Sequence, residues 1–216
     1  MMMLAAIVLP ALLAPRVQKG QQLHYRTTWR RRMDAPLLAG FKPTQSGVAY
    51  TVMVGDATAS HLTWTRQYAG TGEVMRFTSD QSGKVIGENR QAVALPVFVY
   101  SSTLLGQPPG ILSPGTTWTN TIRHPTSTEY WTTTVTELNP ATGLVRLHLS
   151  FQGSGEAGFA GDKGTQDQRE DGEAVFVHGI MTRLSLAGRE TSTYPDRRRI
   201  TNAVAIETRL EDAGSP

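Results

Sequence analysis

The sequence predicts an almost all-β protein: a curved antiparallel sheet forming a half-barrel, barrel or sandwich, with at most one short helix. Three observations carry this prediction. Apolar and polar residues alternate along most of the chain at the two-residue period of half-buried strands. Turn-forming residues separate these stretches at hairpin spacing. Charged residues make up only 18% of the 216 residues, below the roughly 25% of an average globular chain. Thr, Ser and Gly take their place, and the branched Cβ of Thr suits a pleated surface. A chain of this length fits one β domain, and 39% hydrophobic residues with four Trp supply a core.

Met1–Ala14 reads MMMLAAIVLPALLA and is apolar throughout. It falls short of the roughly 20 residues of a membrane-spanning helix, and its length with small Ala11 and Ala14 suits the apolar region of a signal peptide. No Lys or Arg precedes it, and Pro15 follows Ala14. Residues 1–20 are therefore either a signal peptide, with a periplasmic or secreted destination, or a hydrophobic arm packed on the domain. No Cys follows, so a lipoprotein anchor is excluded, and no other stretch is apolar enough to span a membrane.

Residues 21–212 form the single β domain. Leu23, Tyr25, Thr27 and Trp29 fall on one face of the first strand, with His24, Arg26, Thr28 and Arg30 on the other. Val48, Tyr50, Val52 and Val54 form a second row, followed by Leu62 with Trp64 and by Met75 with Phe77. Arg90–Leu105 is apolar with Pro96 inside it and reads as strand or short helix. Gly106–Gly115, rich in Pro and Gly, reads as a stiff crossover between halves of the sheet. Trp118, Asn120 and Ile122 then alternate with Thr117, Thr119 and Thr121, and Glu129–Leu138 carries strand formers on both faces. Val145, Leu147, Leu149 and Phe151 form the cleanest row. Gly153–Gly172 reads as a long flexible loop, Gly172, Gly179 and Gly188 read as turns, and Ile200–Leu210 closes the series. The total is about ten or eleven strands.

The chemistry is mostly exclusion. Without Cys, thiol nucleophiles, disulfides and Cys-based metal or cluster sites are impossible. A net charge of +3 and two short basic runs, Arg30–Arg32 and Arg197–Arg199, lack the interleaved aromatics of single-strand nucleic-acid binders, so no nucleic-acid partner is expected. Gly153-Ser-Gly-Glu-Ala-Gly158 satisfies the dinucleotide fingerprint, but no helix with an apolar stripe follows it, so no cofactor is expected. Phosphate-loop and hydrolase-elbow motifs are missing. His24, His61, His124, His148 and His178 show no paired ligand spacing, and no metal site is predicted. No catalytic residue is assigned. The Trp residues of the strands, Trp29, Trp64, Trp118 and Trp131, are cavity candidates that either line a pocket for an apolar ligand or fill the core.

Leu112-Ser-Pro-Gly-Thr-Thr-Trp118, the hairpins after it, the Gly-rich insertion, Gly172-Glu-Ala-Val-Phe176 with Gly179, Leu184–Thr191 and the strand ending at Leu210 resemble a family of uncharacterised secreted bacterial β proteins. The resemblance covers Leu112–Leu210. It implies a shape related to the unclosed barrels of periplasmic lipoprotein carriers and no catalytic residues. Where such carriers have a helical lid over the concave face, this chain offers only Arg90–Leu105. Three functions follow as expectations: a non-enzymatic exported protein binding an apolar or amphipathic ligand in a concave sheet, an envelope module contacting protein or polysaccharide, and a hydrolase with a dispersed site.

Overall fold

The computed structural model describes residues 10–34, 43–58, 60–80, 85–86, 99–159, 162–196 and 198–214. Within them the strands are β1 (Gln22–Asp34), β2 (Thr44–Ala57), β3 (Leu62–Tyr68), β4 (Val74–Ser79), β5 (Val85–Ile86), β6 (Thr117–Arg123), β7 (Ser127–Asn139), β8 (Leu144–Phe159), β9 (Asp162–Val177), β10 (Ile180–Thr193) and β11 (Arg199–Gly214). Two single helical turns, α1 (Pro10–Leu13) and α2 (Ser102–Leu105), complete the elements.

All eleven strands belong to one antiparallel sheet, in the order β5-β4-β3-β2-β1-β11-β10-β9-β8-β7-β6. The chain makes one meander outward from β1 and a second inward from β6, and the β1–β11 pair joins them. The two edge strands, β5 and β6, are consecutive in the chain, yet they lie at opposite margins of the sheet. Among the described residues these two strands do not pair with each other, so the sheet is open and curved.

Alternation decides which face is buried. Leu23, Tyr25 and Thr27 of β1, Tyr50, Val52 and Val54 of β2, Leu62 and Trp64 of β3, and Val145, Leu147, Leu149 and Phe151 of β8 all point into one core. The opposite face carries cross-strand ion pairs such as Arg26–Glu211 at 2.5 Å and Arg146–Glu173 at 2.8 Å. These pairs are solvent-exposed, so each contributes little to stability.

The described part of the connection before β6, residues 99–116, packs against the buried face of the sheet. Within the described residues it runs from Val99, which bridges Ile180, through α2 to Leu112. Val99, Tyr100, Leu104, Leu105 and Leu112 are all buried in the core. Ser101 caps α2 by accepting from Leu104 N. The Tyr100 hydroxyl donates to Gly106 O at 2.5 Å and accepts from Trp118 Nε1 at 3.1 Å. This segment therefore fills the part of the concave face over β6 and β7 with its own side chains. Of the apolar stretch Arg90–Leu105, residues 90–98 lie outside the described residues, and Ser102–Leu105 is helical.

The N-terminal segment is also part of the core where it is described. Leu12 and Leu13 are 6% and 4% exposed. Arg16 N donates to His178 O at 3.0 Å. Ala14 lies over Gly179 so closely that a Cβ there would come within 2.3 Å of Ala14 O. Residues 1–9 lie outside the described residues.

The largest correction concerns Gly153–Gly172. It is not a flexible loop: it forms the outer halves of β8 and β9, paired in continuous register from Gly153↔Gln168 to Phe159↔Asp162. Gly172 and Gly188 are not turn residues either, but interior positions of β9 and β10. A Cβ on Gly172 would lie 1.8 Å from Ser185 O, and one on Gly188 1.9 Å from Arg169 O. At both places the neighbouring backbone swings over the glycine, so these residues let β9 and β10 coil tightly and bend the sheet. Of the turns read in the sequence, His178-Gly179 is the β9–β10 hairpin. Both residues have positive φ, 51° and 76°, as a two-residue I′ turn requires.

Candidate functional site

Cross-strand register arranges the concave face in rows, because directly opposed residues share a face. Nearest the filled half runs the row Trp29–Ile206–Leu186–Gly172–Leu149–Thr133. The next reads Arg31–Val204–Gly188–Glu170–Phe151–Trp131. Beyond it comes Met33–Asn202–Glu190–Gln168–Gly153–Glu129. The composition changes along the trough: aliphatic in the filled half, then mixed, then a belt of amides and carboxylates.

The outer half is open. A cleft of about 260 Å³ lies across β7, β8 and β9. Gly153 and Gly155 form its floor, with Ser127 and Glu129 on one wall and Gln166 and Gln168 on the other. Phe151 closes its core end and packs against Trp131, with ring centroids 4.7 Å apart. The glycines are needed for this shape. A Cβ on Gly155 would meet the Ser127 Cβ at 2.8 Å, and one on Gly153 the Phe151 ring at 2.8 Å.

Next to the cleft lies a polar network. Glu170 is buried, 4% exposed, and accepts a hydrogen bond from Gln168 Nε2. Burial raises its carboxyl above the ordinary value of 4.5; the Gln168 donor opposes the shift, and the Glu190 charge adds to it. Glu190 in turn receives Arg31 at 2.6 Å and Asn202 Nδ2 at 3.1 Å on the same oxygen. Asn202 is 2% exposed, and its Oδ1 has no hydrogen-bond partner. On the other side of the cleft, Glu129 lies 3.1 Å from His124 Nε2 and 3.4 Å from Trp131 Nε1.

The four Trp positions divide. Trp64 is 1% exposed and donates to Ser79 Oγ at 2.9 Å. Trp118, 8% exposed, donates to Leu105 O at 2.9 Å. Both fill the core. Trp131 is buried behind Phe151 at the cleft end, and Trp29 is half-buried beside Ile206 on the open half. The histidines stay apart: His24 bonds Thr51, His61 sits in a turn with Thr58, and His148 lies 3.7 Å from Asp171. Among the described residues no three His, Asp or Glu side chains gather as metal ligands.

Sequence reading missed the network residues Gln166, Gln168, Glu170, Glu190 and Asn202. A signal existed in the supposed loop: Gln166, Gln168 and Glu170 alternate with Asp167, Arg169 and Asp171. Both faces of this strand are polar, so hydrophobic periodicity could not register it.

No family model and no curated protein matches the chain. Solved structures align over most of its length with little geometric agreement. They include an acyl-CoA thioesterase II, TesB2, from Mycobacterium marinum, at TM-score 0.18 and 14% identity over 93% of this chain and 85% of that one. A tesB protein of Mycobacterium avium subsp. paratuberculosis aligns at 0.18 and 11% identity over 98% and 90%. A conserved hot-dog-fold protein from Alicyclobacillus acidocaldarius aligns at 0.17 and 10% identity over 95% and 84%. At these scores the alignments carry no argument about fold or function.

Proposed function

We propose that this chain is an exported, non-enzymatic binding protein that holds an amphipathic ligand in the open half of its concave sheet. The observation that supports this reading is the division of the trough. One part, over β6 and β7, is filled by Tyr100, Leu104, Leu105 and Leu112. The other keeps a cleft walled by polar side chains. The apolar residues Trp29, Ile206 and Val204, all half-buried, continue along the same face. An elongated ligand would lay its apolar part along this strip and its polar part against Gln166 and Gln168, the usual division in a small-molecule site.

Native mass spectrometry of the protein purified from a native-like host tests this. The expected result is a non-covalent adduct whose occupancy falls in a Trp29→Ala variant that remains folded. Protein that is empty from every such host, and that takes up no amphiphile on incubation, would overturn the reading. Export rests on reading the apolar Met1–Ala14 run as a signal peptide, whereas the burial of Leu12 and Leu13 supports the other reading, an arm packed on the domain. Fractionation with N-terminal sequencing separates the two: export by a signal peptide expects the protein outside the cytoplasm with Leu12 removed, and a cytoplasmic protein that keeps Leu12 would refute export.

A further inference from the structure

We infer that the convex face carries a binding row for an acidic polysaccharide, a linear glycan bearing carboxylates. The row lies on the opposite side of the sheet from the cleft and is independent of it.

The register lines up Arg32, Ala203, Arg189, Arg169, Gln152 and Tyr130 across β1, β11, β10, β9, β8 and β7. Five strand spacings make this row about 24 Å long. Arg189 and Arg169 are directly opposed and exposed, and among the described residues neither has an ion-pair partner. Like charges placed directly opposite each other destabilise a sheet. The same face shows how this chain relieves such a conflict elsewhere. Arg26, Arg209 and Arg183 also stand side by side. There, Glu211 holds Arg26 at 2.5 Å, and Glu207 holds Arg209 at 2.5 Å and Arg183 at 3.9 Å. Arg169 and Arg189 instead keep their guanidinium forks toward solvent, in the geometry that receives a carboxylate. Arg30, exposed in the adjoining row, adds a further positive charge beside Arg32.

The neighbours of the row select among polyanions. Asp167 and Asp171 flank Arg169 two positions away on either side along β9, on the same face. Both are exposed, and Asp171 lies 3.7 Å from His148. The phosphates of lipid or nucleic acid bring acceptors alone, which these carboxylates repel. A uronic-acid glycan brings carboxylates for the arginines and hydroxyl donors for Asp167, Asp171 and the Gln152 carbonyl. Tyr130, 50% exposed, ends the row with an aromatic ring and a hydroxyl.

Calorimetry at low salt with three six-unit probes tests the inference: an alginate hexasaccharide, maltohexaose and hexathymidylate. Alginate is expected to bind, hexathymidylate to bind more weakly, and maltohexaose not to bind. Arg169→Gln combined with Arg189→Gln removes two exposed charge contacts and should weaken alginate binding roughly tenfold. Arg183→Gln combined with Arg209→Gln removes the same net charge and should leave that binding unchanged. Arg189→Glu sets a carboxylate opposite Arg169, so alginate binding should fall while the denaturation midpoint rises. Alginate binding no tighter than that of maltohexaose or hexathymidylate overturns the inference. An equal loss in the two double variants also overturns it, because that marks non-specific charge attraction. A lowered midpoint in Arg189→Glu would assign the arginine pair to the fold and refute the binding role. Phosphatidylglycerol vesicles are expected not to retain the protein; retention that the first double variant abolishes would assign the row to membrane lipid instead.

Discussion

Glu170 shows how one buried residue carries a pH dependence. Its folded-state carboxyl titrates above the ordinary value of 4.5 because burial penalises the charged form. The folded protein thus holds this proton more tightly than the unfolded chain does. Its contribution to stability is greatest below 4.5 and is lost as pH rises through the raised value. A Glu170→Gln variant cannot ionise and still offers a carbonyl to Gln168. It is expected to be more stable than the parent near about pH 7, with the gap closing toward about pH 4. Urea midpoints at both values check this, and an unchanged gap would refute it. Tyr100 makes a second point at this scale. Its hydroxyl donates to Gly106 O and accepts from Trp118 Nε1, and burial suppresses its ionisation, pushing it to higher pH. Tyr100→Phe leaves Gly106 O without this donor and should cost about 1–2 kcal/mol in chemical denaturation.

Among the elements, the β9–β10 hairpin decides the shape of the sheet. Gly172 and Gly188 sit where the partner backbone leaves no room for a Cβ. Gly188→Ala should therefore destabilise by about 3 kcal/mol, the upper range of overpacking costs. Gly158→Ala on β8 is the matched control, because nothing lies within 4 Å of its Cβ position. It should be neutral or stabilising by about 0.5–1 kcal/mol, since alanine loses less backbone entropy in a strand. Equal effects of the two substitutions in thermal unfolding would contradict the steric account. Bulges act at the same scale. The register shifts at Val135/Glu137 and Met181/Arg183 change which parity of residue faces the core. This is why Met181 and Leu184 are both buried although three positions separate them.

At the scale of the whole molecule, two segments distant in sequence close the trough. The crossover from Val99 to Leu112 fills the part over β6 and β7, and Leu12 and Leu13 join the same core from the N-terminus. Removing residues 1–14 exposes the sites of two buried leucines. It should cost about 3–6 kcal/mol at roughly 1.5–3 kcal/mol per side chain, read as a lowered denaturation midpoint. An unchanged midpoint would show that the arm does not contribute to the core.

Local pattern made most of the scaffold legible. Alternation in Val145–Phe151 or Leu23–Trp29 marks a half-buried strand whatever it pairs with, because side chains in a strand point to opposite faces by covalent geometry. The sequence by itself therefore determined the all-β class and the absence of thiol chemistry. It could not determine where the strands go. Only the tertiary structure joined β1 to β11, left β5 and β6 as edges, and drew the Gly153–Gly172 stretch into paired strands. The physical reason is that this stretch is polar on both faces: its ladder is held by neighbouring backbones and by the close approach its glycines allow, and neither leaves a hydrophobic period in the chain. The candidate site stands on that stretch. Its carboxylates and amides come from four strands, β7, β9, β10 and β11, and only the register of the assembled sheet places them in adjoining rows.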